Sequence, residues 1–278
     1  MAKLDEAAAP HANMGDRSLP QILGDYATQT MGVASAEVQK LRHDPVELFT
    51  RAAQPVLWLL LFGEVMAQVR GVVPTNVPYL DYLSAGILAQ SVLFVAIFYG
   101  ISAIWERDLG VLQRYLVSPA PRSALVLGKA LSASVRGLSQ AAIVYLLAAV
   151  LGVGIDFRPT RILGVIVIIS IGAAVFSTCS LIIACIVKTR ERFMGIGQVL
   201  TMPIFFASNA IYPLSLMPTW LRAIARGNPL VYEVDALRAL MLAGGTSVYG
   251  LSFDFAVLLA TGAVLTTLAA KMYGRMGF

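Results

Sequence analysis

The chain has 278 residues, of which 58% are hydrophobic and 13% are charged, and its formal net charge is +5. A soluble domain carries about 25% charged residues, so this composition excludes an ordinary soluble enzyme, and the basic balance reads as membrane topology rather than as a nucleic-acid surface. The charges gather in short segments, while residues 82–105 and 162–187 contain none; about 20 apolar residues suffice to cross about 30 Å of hydrocarbon.

In chain order, residues 1–32 read as a weakly structured or disordered tail. Ala, Pro, Asn, Gly and Asp recur there without periodicity. The first fifty residues are largely polar, which reads as the absence of a signal peptide. Residues 33–278 read as one all-α polytopic membrane domain. Around 35–49, Val38, Leu41, Val46 and Phe49 alternate with Glu37, Lys40, Arg42 and Glu47, the pattern of short helices lying at the inner interface. Six spans follow at about 52–69, 82–105, 137–155, 162–187, 193–211 and 255–273. Pro203 interrupts the fifth.

With the N-terminus inside, fifteen Lys and Arg fall on the inner side and six on the outer side. That bias places both termini in the cytoplasm. Two non-spanning segments then need a role. The inner loop between spans two and three opens with Asp108, which can cap a short helix, and Ser118-Pro119 can end it. Leu109, Leu112 and Leu116 fall on one face of that helix, too short to span and too apolar for a solvated loop. The outer segment between spans five and six is broken by Pro213, Pro218 and Pro229. Asn228 can cap a helix with Pro229 at its first position. Leu230, Val234, Leu237 and Met241 then form one stripe, and Gly244-Gly245 can end it. Asp235 and Arg238, three apart, can pair on the opposite flank. This segment reads as a hairpin dipping into the outer leaflet, where any non-helical backbone must be buried in protein.

Enzyme chemistry is sparse. His11 and His43 are the two histidines, and neither joins a Ser–His–Asp set or a metal set. Gly128-Lys129 resembles the end of a phosphate-binding loop, but Ser123 and Ala130 stand where Gly and Ser or Thr are required. Cys179 and Cys185 read as small apolar fillers. Glu64 is the acid lying well inside an apolar run; a charge there costs about 2.5–3.5 kcal/mol. It is either a pathway residue or sits near the outer end of its helix facing water. Gln90, Gln140, Gln198 and Asn209 read as polar contacts between spans.

The run Glu106, Arg107, Asp108, Leu109, Gly110, then Leu112, Leu116, Ser118 and Pro119, with Gly128-Lys129 beyond, closely resembles the cytoplasmic loop of type-two ABC export permeases. Gln54-Pro55, Pro213, Met217-Pro218, Trp220-Leu221, Asn228-Pro229-Leu230 and Val234 to Arg238 resemble the rest of that family's pattern. The likeness covers roughly residue 40 to the C-terminus and is nearest to the daunorubicin-type drug-resistance branch. Val111 stands where the family often has Thr. The resemblance implies a bacterial cell-membrane permease with six spans, an interfacial helix, a coupling helix and a re-entrant outer hairpin. It also implies a second permease chain, with homodimer pairing, and two copies of an ABC ATP-binding subunit that holds the ATP and magnesium; this chain would bind no cofactor or metal itself and would have no catalytic residue. The cargo implied is a hydrophobic or amphipathic compound. The alternatives are a lipid-linked polysaccharide or, in a different class, a membrane enzyme or secondary transporter, which would need more intramembrane ionisable groups than Glu64.

The expected orientation is checked with single cysteines at Ser18 and Thr246 in a cysteine-free background. An impermeant thiol reagent applied to intact cells is expected to label position 246 and not position 18; the reverse pattern overturns the orientation.

Overall fold

The computed structural model describes residues 50, 53–67, 77–110, 122–187 and 189–273. The tail, the interfacial helix expected at 35–49, and the coupling positions Leu112, Leu116, Ser118 and Pro119 lie outside the described residues. Those described form nine helices: α1 (Ala53–Met66), α2 (Tyr79–Tyr99), α3 (Ile101–Asp108), α4 (Arg122–Val150), α5 (Pro159–Ile186), α6 (Arg190–Phe206), α7 (Thr219–Arg226), α8 (Pro229–Met241) and α9 (Leu251–Tyr273). Among the described residues the β-structure is one isolated antiparallel bridge, Ile155 to Leu242.

Four segments are long and apolar enough to cross a membrane: α2 with α3 as one 30-residue unit, α4, α5 and α9. They match the expected second, third, fourth and sixth spans. The third starts well before residue 137, because α4 begins at Arg122 and runs 29 residues. The expected first span is a shorter apolar helix, α1, within which Trp58–Gly63 forms a π-helical turn just ahead of Glu64. The expected fifth span differs more. Helix α6 stops at Phe206, three residues after Pro203, whose missing N–H and ring weaken the last turn. Residues 207–211 continue as non-helical chain yet stay buried.

Helix α2 is the centre of the bundle. Leu83, Ile87, Leu88, Leu93 and Ile97 are fully buried, with α4, α5 and α8 packed around it. The outer helices show the reverse of a soluble protein. Leu57, Leu61 and Val65 on α1, Leu163 on α5, Val199 on α6, and Leu259 and Val264 on α9 are all exposed. An apolar exterior around an apolar core suits lipid as the solvent.

The break between α2 and α3 has a local cause. At Gly100 the Ser180 hydroxyl of α5 donates to the carbonyl of Ile97, competing for an acceptor of the helix ladder. A Cβ on Gly100 would fall 2.0 Å from that hydroxyl oxygen. A second close approach lies in the first half of α2, where a Cβ on Gly86 would stand 2.1 Å from the Ala210 carbonyl oxygen. Only glycine lets α2 pass the non-helical segment at that distance.

Gly86→Ala is therefore expected to cost about 1–3 kcal/mol or more, read as a lower thermal midpoint of the detergent-purified protein. Gly195→Ala is the control. Gly195 has nothing within 4 Å of its would-be Cβ, so replacing a helical glycine there should leave stability unchanged or raise it by up to about 1 kcal/mol.

Candidate functional sites at the two ends of the bundle

At the end of the bundle that the sequence leads one to expect at the cytoplasmic face, here the inner end, α3 carries Glu106, Arg107 and Asp108 out to a turn. Leu109 is 69% exposed, and Gly110 takes φ +70, the left-handed geometry that ends a helix cheaply only with glycine. Asp108 thus closes the helix before the loop. The cap expected of it, at the start of a helix from Leu109, is not formed, since Leu109 and Gly110 are turn residues.

Two ion pairs hold this end. Lys129 Nζ of α4 donates to Glu106 Oε2 at 2.7 Å, with side-chain exposures of 9% and 19%. Arg190, at the start of α6, reaches Asp108 Oδ2 at 2.9 Å, and its guanidinium lies 3.7 Å from the Trp105 ring centroid. Arg107 makes a longer contact to Asp108 at 3.4 Å. The first pair is shielded from water and strong. The second is about 38% exposed on both sides and stabilises less, but the ring beneath fixes its direction. Glu106 and Asp108, part of the motif that resembles the family's cytoplasmic loop, each pair within the chain. Lys129 is the buried counter-charge of Glu106. Gly128-Lys129 lies inside α4, not in a loop ahead of a helix.

At the opposite end, the outer one in that expected orientation, α8 is buried on every side except at Pro229. The expected stripe Leu230, Val234, Leu237 and Met241 is fully buried, and Glu233, Asp235 and Arg238 are buried as well. Asn228 is the expected N-cap: its Oδ1 accepts from Leu230 N at 3.0 Å. Its amide nitrogen also donates to Ile204 O and Ala207 O. Arg238 lies 3.5 Å above the Tyr82 ring and donates to the carbonyls of Tyr82, Asn209 and Ala210. Tyr79 and Tyr82 donate their hydroxyls to Ile211 O and Asn209 O. Asp235 faces away and accepts from Ser247 Oγ, Val248 N and Tyr249 N at 2.8–3.1 Å. The direct Asp235–Arg238 pair expected from spacing is therefore not made. Each group is turned to the backbone of a different loop, where unpaired polar groups cost most. Pro218 sits just ahead of α7, and Arg222 of that helix donates to the carbonyls of Leu214, Ser215 and Met217. Glu233 faces Gly172 of α5, and neither of its oxygens has a hydrogen-bond partner.

Between the ends, α1, α2, α4 and α6 enclose a cavity of about 480 Å3. Gln54, Gln90 and Gln140, one from each of three helices, line it together with Phe94 and Phe98. Gln90, Phe94 and Phe98 recur at i, i+4 and i+8 on α2, one helical face. That periodicity was available in the sequence, but in an apolar run it does not distinguish a cavity wall from a packing face. Glu64 is exposed, lies about 15 Å along α1 from Gln54, and does not line the cavity.

An apolar-shelled helical bundle with four membrane-length helices, polar side chains satisfying buried loop backbone, and an ion-paired inner end defines a multi-pass membrane protein. The chain belongs to the ABC-2 type transporter family, whose model matches residues 28–242. It is 28% identical over 209 residues to a putative transport permease, ycf38, of Cyanophora paradoxa, covering 72% of this chain and 70% of that one. It is 25% identical over 239 residues to the daunorubicin resistance ABC transporter permease protein DrrB1 of Streptomyces coeruleorubidus, covering 84% and 81%. Nodulation protein J of Rhizobium leguminosarum bv. trifolii matches at 25% over 197 residues, 70% of this chain and 74% of that one. The drug-resistance branch named from the cytoplasmic motif is thus among the relatives. Family membership implies association with an ABC ATP-binding subunit.

The buried inner pair is checked by charge exchange. Glu106→Lys or Lys129→Glu alone is expected to lower stability by about 1–3 kcal/mol, seen as a lower thermal midpoint. Glu106→Lys with Lys129→Glu is expected to recover most of the loss; a double variant no better than the singles would deny the pair its role.

Proposed function

We propose that this chain is the transmembrane permease of an ATP-driven exporter for a hydrophobic or amphipathic compound, with six spans and both termini in the cytoplasm. Two copies form a homodimer around the pathway, and each takes one ATP-binding subunit on its inner face. The observation that carries the reading is the way the inner end is tied. Leu109 projects into the space beyond the bundle, while Glu106 and Asp108, within three residues of it, are ion-paired to α4 and α6. An apolar surface held there has no partner among the described residues of its own chain, and it suits a groove on another subunit.

The same ties supply a route for force. A displacement of the segment 109–119 by the ATPase acts on Asp108 and Glu106 first. Through Arg190 it pulls on the start of α6, and through Lys129 on α4, both of which wall the cavity. Rigid helices moved from one end in this way give the alternating arrangements that transport requires. The outer cap, with its backbone satisfied by Arg238 and Asn228, resists that motion and acts as the fixed end.

The docking role is checked with Leu112→Asp plus Leu116→Asp. Membrane insertion is expected to be unchanged, while co-purification of the ATP-binding subunit and transport both fall to background. A double variant that still binds the subunit and still exports refutes docking through this face and favours contact of the segment with the inner leaflet.

A further inference from the structure

We propose that the outer end carries a proton-binding site, in which Asp254 of α9 and Asp235 of α8 hold one acid proton between them across the Ser247 hydroxyl and so clasp the loop 242–250 to both helices. The site goes beyond the export reading and does not depend on the cargo.

The hydrogen count carries the assignment. A serine hydroxyl has one hydrogen and two lone pairs, and three groups meet this one. Ser247 Oγ lies 2.9 Å from Asp235 Oδ2 and 2.8 Å from Asp254 Oδ2, and it accepts from Gly250 N at 2.7 Å. Both carboxyl contacts are at hydrogen-bond distance, so each needs a hydrogen, and the serine supplies one. Asp235 Oδ2 also accepts from Val248 N and Tyr249 N, which marks it as the ionised acceptor. The serine hydrogen therefore goes to Asp235, and the second hydrogen is the acid proton of Asp254, donated to Ser247 Oγ. Both lone pairs of the hydroxyl are then filled.

The surroundings of Asp254 point the same way independently. The residue is 0% exposed, and its Oδ1 has no hydrogen-bond partner. A carboxylate there would meet neither water nor a donor on that oxygen, beside a second negative charge. Asp254 stands in the first turn of α9, where the helix dipole favours a negative charge, but its hydrogen bond among the described residues is to Ser247 rather than to an N–H of that turn. No Lys or Arg among the described residues pairs with either acid. Arg238 of α8 turns to the carbonyls of Asn209 and Ala210. Arg158 and Arg161, at the start of α5, are bound to Asp156. Arg226 is exposed on α7. The other ionisable neighbours are Tyr232 and Tyr249, packed against Phe253, Glu233, which faces α5, and Tyr145 of α4, packed against Phe157.

Thr246 and Val248 are exposed on either side of Ser247, so the proton exchanges with solvent whenever the loop lifts. When Asp254 gives its proton to water, two carboxylates face a single hydrogen across the serine and repel. The clasp is thus closed with the proton bound and loosened without it.

The test uses the full chain in phosphatidylcholine nanodiscs. Difference infrared spectra in heavy water read protonated carboxyl groups by their carbonyl stretch. At neutral pH a protonated-acid band is expected that Asp254→Asn removes and Glu233→Gln leaves in place. Hydrogen exchange of residues 244–250, followed by mass spectrometry, is expected to rise with pH more steeply in the wild type than in Asp254→Asn, by up to about tenfold per pH unit, the slope of one proton released on opening. Asp254→Asn puts an N–H donor where the acid proton stands, so the loop stays protected. If that variant does not fold, Ser247→Ala, in the exposed loop, takes its place; it removes the bridge, and the extra slope is expected to vanish. A spectrum in which Asp254→Asn removes no acid band overturns the site, as does an equal pH slope in wild type and variants. Protection of the loop that follows sodium concentration instead of pH marks a bound cation and also overturns it.

Discussion

The fold depends on satisfying a stretch of backbone that leaves the helix while still inside the bundle. Residues 207–211 are non-helical and buried, so their carbonyls need donors from elsewhere in the protein. Arg238 supplies donors to two of them and to Tyr82, Tyr79 and Tyr82 supply hydroxyls, and Asn228 adds an amide. These donors come from α2 and α8, the two most deeply buried helices. Their positions follow from that need: α8 must lie within reach of the segment, and α2 must pass it closely enough to require glycine at position 86. The cation of Arg238 is tolerated there because three carbonyls and an aromatic face replace its hydration.

The two ends of the bundle are held by different chemistry, and the difference suits different duties. The outer cap is held by hydrogen bonds to backbone, several of them made by the charged side chains of Arg238 and Asp235, and is reinforced by the bridge between Ile155 and Leu242 and by Asp81 accepting from Gly154 N. Such contacts are short and directional, and a lost one leaves a buried group unmet. The inner end is held by ion pairs of long side chains, one shielded and one open to solvent. Ion pairs of this kind keep much of their attraction while the helices shift by an ångström or so. The two ends thus differ in kind: hydrogen bonds to backbone hold one, and ion pairs between side chains hold the other.

Much of this was legible in the sequence. The charge-free runs located α2 and α5, and Asn228-Pro229 marked the start of α8 within a residue. Signals of this sort are local, since a cap, a proline or an apolar run acts on its own neighbours. The errors have one origin. Pro203 was read as an interruption of a span and instead ends α6 at Phe206; Asp108 was read as a cap and is an ion-pair partner. Asp235 and Arg238 were read as a pair because spacing allows it, whereas each turns to a loop distant in sequence. Spacing along a helix says which groups can meet, not which competing partner is nearer.

The sequence by itself determined the solvent, the helical class and the family, because hydrophobic run length and short motifs are properties of short segments. The tertiary structure alone decided that the polar flank of α8 is buried, that Lys129 neutralises Glu106 across 23 residues, and that three glutamines from separate helices face one cavity. In a lipid-facing chain apolar side chains occupy the outside, the core and the cavity wall alike, so hydropathy loses its power to tell these apart. Only the packing of one helix against another assigns each residue to lipid, to protein or to the cavity.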